Sequence, residues 1–225
     1  MHRAVFSSIL INSPRRQTAA DPAIKVAILG HSFVKHLNSA PPALPGFDFE
    51  LHGWPGATVS CIRQKVVNSS NRLHLDASLV ILQIGENDIH TPSIDPSSPP
   101  PSPSFHGQLT ENIISLAADI IAYNTSVNTV VIGWLFPRGW AKTHKDLHTL
   151  EQSIRFNSTV LSTNFFLMTH IHHLISPSLK FHFRQGVFDE HLQFHDVLGY
   201  PVYLNTNGEA LLRASWEALA SHILS

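Results

Sequence analysis

Three short apolar runs constrain this chain more than any other feature: Ile24–Gly30 (IKVAILG), Ala77–Gly85 (ASLVILQIG) and Thr129–Phe136 (TVVIGWLF). A run that is apolar along its length, rich in β-branched residues and without polar alternation, is what a strand buried on both faces requires. Phe47–His52 alternates like a further strand, and Ile171–Ile175 reads as a short fifth. Between the runs lie stretches with helical spacing: Ser32–Leu37, Ala57–Asn68, Leu109–Tyr123, Lys145–Met168 and Gly208–Leu224. Strands alternating with helices predict an α/β fold, a three-layer α/β/α sandwich on a parallel sheet of about five strands. In such sheets reactive groups gather beyond the carboxyl ends of the strands.

With 225 residues, 43% of them apolar, the chain is long enough to bury one sizeable core. The reading is one domain over 23–225 after an irregular extension, 1–22. That extension holds three Arg and no acid in its first twenty residues, faintly like a transit peptide. Pro92–Ser104 (PSIDPSSPPPSPS) is polyproline-like and is expected to be an exposed loop. Fifteen Lys and Arg stand against sixteen Asp and Glu, a net charge of −1. That balance removes the bulk field behind non-specific nucleic-acid binding, although a local patch is compatible with it. Cys61 is the only cysteine, so no intrachain disulfide forms, which fits a reducing, intracellular compartment. No apolar run approaches the roughly 20 residues that a membrane span needs.

Each strand end offers a polar group. Gly30-His31-Ser32 places a hydroxyl at the carboxyl edge near a helix N-terminus, where amides can support an oxyanion; a serine there is also an ordinary helix cap. In Gly53-Trp54-Pro55-Gly56-Ala57-Thr58, Gly56 lets the backbone approach a substrate, or simply turns the chain. In Gly85-Glu86-Asn87-Asp88, Asn87 can offer its amide to an oxyanion and Asp88 can cap the next segment. Both residues are also common turn formers. Arg138, after Phe136-Pro137, suits an anionic substrate group or a structural bond to a loop carbonyl. His170, His172 and His173 lack nearby carboxylates or thiolates, so no metal is expected there.

Taken in order, G-x-S, G-x-x-G-x-T and L-Q-I-G-x-N-D, each after its own strand, resemble the SGNH (GDSL-type) hydrolase family. The resemblance runs from Val26 to about Trp134 and returns near the C-terminus. The flavour of I-L-G-H-S-F-V, of Pro-Arg after the fourth strand and of L-N-x-x-G is that of stand-alone invertebrate or retrotransposon-associated SGNH domains. The resemblance implies a flavodoxin-like sandwich that hydrolyses small-molecule or acylated esters with neither a metal nor an organic cofactor. It also implies Ser32 as nucleophile and an oxyanion hole from the Ser32 amide, Gly56 and Asn87.

Two departures stand out. His31 replaces the Asp of the family's G-D-S, a residue that is not the nucleophile. Where the family carries D-x-x-H, this chain has Tyr200 and Tyr203, followed by Leu204-Asn205 and Gly208. Phenols titrating near about 10 do not serve as bases at neutral pH. A shifted base is available in FDEHLQFHD, which holds Asp189, His191, His195 and Asp196. His195 lies closest to the family position and is the expected base. Without one, the chain is instead a catalytically inactive SGNH-like binding module, nucleic acid being one conceivable partner.

Overall fold

In a computed structural model, residues 22–38, 40–68, 70, 72–94, 101–138, 150–174, 177–182 and 204–224 are described. Five strands, β1 (Ile24–Gly30), β2 (Phe47–Gly53), β3 (Leu79–Gln83), β4 (Thr129–Gly133) and β5 (Leu179–His182), form one sheet in the order β2-β1-β3-β4-β5. Every neighbouring pair is parallel. Six helices accompany them: α1 (Ser32–Leu37), α2 (Val59–Arg63), α3 (Glu86–Ile94), α4 (Pro103–Tyr123), α5 (Leu150–Leu174) and α6 (Thr206–Leu224).

Strand alternation divides the core in two. Ala27, Leu29, Val80, Leu82, Val130 and Ile132 face one side, where they join side chains from α2, α3, α4 and α5. Val26, Ile28, Leu79, Ile81 and Val131 face the other, against Phe33, Val34 and Leu37 of α1 and Leu212, Trp216 and Leu219 of α6. Both faces of β1 and β3 are thus covered, which is why those strands read as continuous apolar runs. The result is the three-layer α/β/α sandwich expected.

Local chemistry sets several boundaries. Ser102 accepts the Phe105 amide at 3.3 Å and Pro103 opens α4, the usual preference at a helix start. Asn124 ends that helix: its Nδ2 donates to Ile120 O at 2.9 Å, and its Oδ1 accepts the Leu75 amide. Thr58 caps α2 by accepting the Cys61 amide, and the helix continues as a π-helical turn over Gln64–Asn68.

Two expectations are corrected. Ile171–Ile175 is not a strand, since Ile171 to Leu174 are the last turn of α5, and the fifth strand is Leu179–His182. Ile171 belongs to a helical stripe with Leu167 and Phe156. Pro92–Ser104 is not one exposed loop either. Its first residues complete α3 and its last open α4, leaving 95–100 outside the described residues.

Candidate active site

The sheet order reverses at β1 and β3, and at that switch point the carboxyl ends of two adjacent strands open a crevice. Gly30 pairs with Gly53 on one side and Gln83 on the other. A Cβ on Gly30 would lie 2.4 Å from the Gln83 carbonyl oxygen and 2.6 Å from Val34 Cγ2, so only glycine fits between β3 and α1 here. His31 follows, fully buried, and Ser32 is the first residue of α1 and half-buried. The cap reading of Ser32 is not met. His31 occupies the cap position without a side-chain capping bond, and the Ser32 Oγ lies 3.3 Å from His31 Nδ1.

Behind the ring sits Glu86, also fully buried. Its Oε2 is 2.8 Å from His31 Nε2. Its Oε1 accepts from Gln83 Nε2 at 3.0 Å and from the Phe136 amide at 3.0 Å. Gln83 spends its other N–H on the Trp134 carbonyl, which ties the ends of β3 and β4 together. Burial alone would push the Glu86 carboxyl up. The charge and hydrogen bond of His31, with the Phe136 amide, outweigh burial and hold it below the usual carboxylate range.

Asn87 is positioned through both ends of its amide. Nδ2 donates to Ala57 O at 2.9 Å, and Oδ1 accepts from Arg138 Nη2 at 3.0 Å. Only this orientation satisfies both partners, because Arg138 has no acceptor and a carbonyl no donor. The amide carries a second N–H, the one that the family's oxyanion role requires. Arg138 itself is buried, 2.7 Å from His90 Nδ1, with its guanidinium 4.6 Å from the Phe156 ring centroid. Since guanidinium only donates, His90 Nδ1 accepts and that ring is neutral. The Arg138 side chain thus ties Asn87 to His90. Its own carbonyl and amide pair with Asn157 of α5, as those of Leu135 pair with Asn164.

Gly56 completes the rim. It has φ +72°, a left-handed conformation that favours glycine, and it is exposed. The loop that carries it is bound to the β3 end through Asn87 to Ala57 and through Asp88, whose carboxylate accepts the Val59 amide at 3.1 Å. Asp88 thus satisfies the first amide of α2, beside the Thr58 cap. Burial pushes its carboxyl up to about 6, and the nearby Glu86 charge adds to this against the Val59 bond.

A pH prediction follows from Asp88. Its folded-state value lies above the ordinary 3.8. The stability it contributes is complete below about pH 4 and is lost as pH rises through about 6. Asp88→Asn keeps an acceptor for Val59 and removes the titration. The variant should melt a few degrees above the parent at pH 7.5 and level with it at pH 4, the full difference being at most about 3 kcal/mol. Equal melting-temperature offsets at the two pH values would rule the account out.

Ser32, Gly56 and Asn87 thus follow the carboxyl ends of three adjacent strands, β1, β2 and β3. His195, with Asp189, His191, Asp196, Tyr200 and Tyr203, lies outside the described residues. Sequence reasoning missed the His31–Glu86 pair, Gln83 behind it, and the role of Arg138. A signal was present: both His31 and Glu86 occupy variable positions of the two motifs, just past the ends of strands that prove adjacent. Among the described residues no group of three or more His, Cys, Asp or Glu side chains is arranged to hold a metal ion, and His170 Nδ1 bonds the Phe166 carbonyl. No described helix is long and apolar enough to cross a membrane.

A parallel sandwich with a serine after β1, a glycine loop after β2 and an asparagine after β3 defines the SGNH hydrolase fold, and this chain has that fold. Similar solved structures include an α/β hydrolase from the metagenome of Lake Arreo, Spain (TM-score 0.54, 13% identity, 91% of this chain and 99% of that one). An acetylxylan esterase from Geobacillus stearothermophilus superposes with TM-score 0.55 at 14% identity over 90% of this chain and 94% of its own. A candidate GDSL-like lipase from Bacteroides ovatus gives TM-score 0.55 and 14% identity, over 90% of this chain and 54% of that one. The chain matches no protein-family model and no curated protein.

Proposed function

We propose that this chain is a serine ester hydrolase acting by acyl transfer through Ser32 on small acylated substrates, acetylated saccharides being a first class to try. The observation that supports the reading is the placement of Ser32 after β1, the Gly56 loop after β2 and the Arg138-oriented Asn87 after β3, at the carboxyl ends of three adjacent strands. Ser32 Oγ attacks the ester carbonyl carbon. The Ser32 and Gly56 amides and Asn87 Nδ2 hold the oxyanion. The alkoxide then leaves with a proton, and water resolves the acyl-serine by the same steps reversed. The family's architecture needs an imidazole to carry that proton, and His195 is the one that the sequence places nearest the family position.

Hydrolysis of p-nitrophenyl acetate and of acetylated xylo-oligosaccharides tests the reading. Asn87→Ala is expected to lower kcat by about 100-fold or more, because one preorganised oxyanion donor is lost. It should cost about 1–2 kcal/mol of stability, since Ala57 and Arg138 each lose a partner. No turnover of any ester above buffer background, or an unchanged kcat in this variant, sinks the assignment.

A further inference from the structure

We propose that His31 is the general base of this site: its Nδ1 takes the Ser32 hydroxyl proton while its Nε2–H is held by the buried Glu86 carboxylate. The inference rests on the ester-hydrolase reading and assigns its imidazole to His31 instead of His195. Serine needs such a partner, because its hydroxyl is a poor nucleophile at neutral pH. The contacts are 3.3 Å from Ser32 Oγ to Nδ1 and 2.8 Å from Nε2 to Glu86 Oε2. Relative to the familiar serine–histidine–acid order the two ring nitrogens exchange roles, which is chemically equivalent.

Hydrogen-bond accounting fixes the proton. Gln83 Nε2 and the Phe136 amide can only donate, so Glu86 Oε1, which they share, carries no hydrogen. Any proton in the pair lies between Oε2 and Nε2. Two donors besides the ring converge on the carboxyl and favour its ionised form, so that proton stays on nitrogen. Nδ1 is then the nitrogen left with a lone pair in the neutral ring, and it faces the serine.

The surroundings favour transient protonation. The Phe33 ring lies 4.8 Å from the His31 ring, centroid to centroid, and Phe136 packs edge-on to Phe33 at 5.5 Å, so the base is walled from water. An imidazolium in such a place is costly unless paired, and Glu86 supplies the pairing at the far nitrogen. The other acid near the ring is Asp88, whose titration senses both His31 and Glu86. The nearby cation, Arg138, is directed to Asn87 and His90.

The step balances without a co-reactant. The Oγ–H proton passes to Nδ1 as the Oγ–C bond forms and the carbonyl π pair moves to oxygen. Collapse breaks the C–O bond to the leaving alcohol, which takes the proton back from Nδ1. Water repeats both steps on the acyl-serine. The two unusual residues of the Gly30-His31-Ser32 and Gly85-Glu86-Asn87 motifs thereby replace a missing D-x-x-H as one unit, and His195 is not required.

The experiment uses the full chain, a fluorophosphonate probe that labels activated serines, and p-nitrophenyl acetate, between pH 5 and 9. Wild type should label at Ser32. His31→Gln, which can still bond Glu86, and His31→Asp, which restores the family's residue, should both label and turn over at least about 100-fold more slowly. Glu86 is a positioning residue, so Glu86→Gln should shift the acid limb of the pH–rate profile to lower pH as well as slow the reaction. Should the His31 variants fail to fold, 15N imidazole shifts of wild type decide: the proposal requires a protonated Nε2 and a bare Nδ1 at pH 7.5. Doubly protonated His31 across the range overturns it. So does labelling that survives in folded His31→Gln and vanishes in His195→Ala, which leaves the ester-hydrolase reading intact. A wild type that neither labels nor turns over removes both.

Discussion

Ser32→Ala should reduce ester turnover to the buffer background, a loss on the order of 10⁴-fold or more, while the fold is kept. The size of the effect follows from the role: without Oγ no acyl-serine forms, and the oxyanion donors can assist only direct attack by water. The small structural cost follows from the surroundings. Ser32 is the first helical residue, half-buried, its Oγ bonded to His31 and capping no helix. Alanine is the best helix former, so the loss of one 3.3 Å hydrogen bond costs about 1 kcal/mol or less. Kinetics and thermal melting on the same preparation check both halves. Turnover in the alanine variant equal to that of wild type would mean that the hydrolysis arises elsewhere, and a collapse of the fold would mean that Ser32 is structural.

A second large effect is expected far from the chemistry. Trp216 of α6 is 1% exposed and the largest fully buried side chain among the described residues. It belongs to the cluster of Val26, Ile28, Phe33, Phe136 and Leu204 that covers one face of the sheet. Trp216→Ala removes most of that volume, and the layer cannot close over it because strand positions are fixed from the other face. A loss of about 3–5 kcal/mol is expected. For a chain of this size that is a fall of about 10 °C or more in Tm. Trp216→Phe should recover a large part. Urea unfolding gives the number, and a cost below about 1 kcal/mol would show that α6 does not dock as described.

How much of this was legible in the sequence differs element by element. β1, β3 and β4 were plain because burial on both faces confines polar residues (Lys25, Gln83 and Thr129) to the ends of the runs. β5 was not: it is a four-residue edge strand whose Lys180 is exposed, and the apolar stretch just before it fits a helical stripe equally well. Ser32, Gly56 and Asn87 were legible because each stands at a fixed offset from a strand end. The His31–Glu86 pair was not, because its 55-residue separation carries no periodicity. Knowing only that β1 and β3 are neighbours, two ionisable residues one and three positions past their ends become natural partners. The contacts of Arg138 with Asn87 and His90 were not legible because those partners come from a different strand end. Asn157 and Asn164, one heptad apart on α5, hold the backbone beside it in a way that composition does not reveal.

The serine and the ring it faces are consecutive residues, whereas the ring and its carboxylate are 55 apart. The first distance depends on a handful of torsion angles within one dipeptide, the second on the assembly of two strands and two helices. Softening the tertiary structure by heat or mild denaturant should therefore leave nucleophile and imidazole in reach of each other while the imidazole loses its anchor. Rate should decline through disordered ring orientation before the secondary structure melts. What the fold contributes to this site is direction, since proximity is already encoded in the peptide chain.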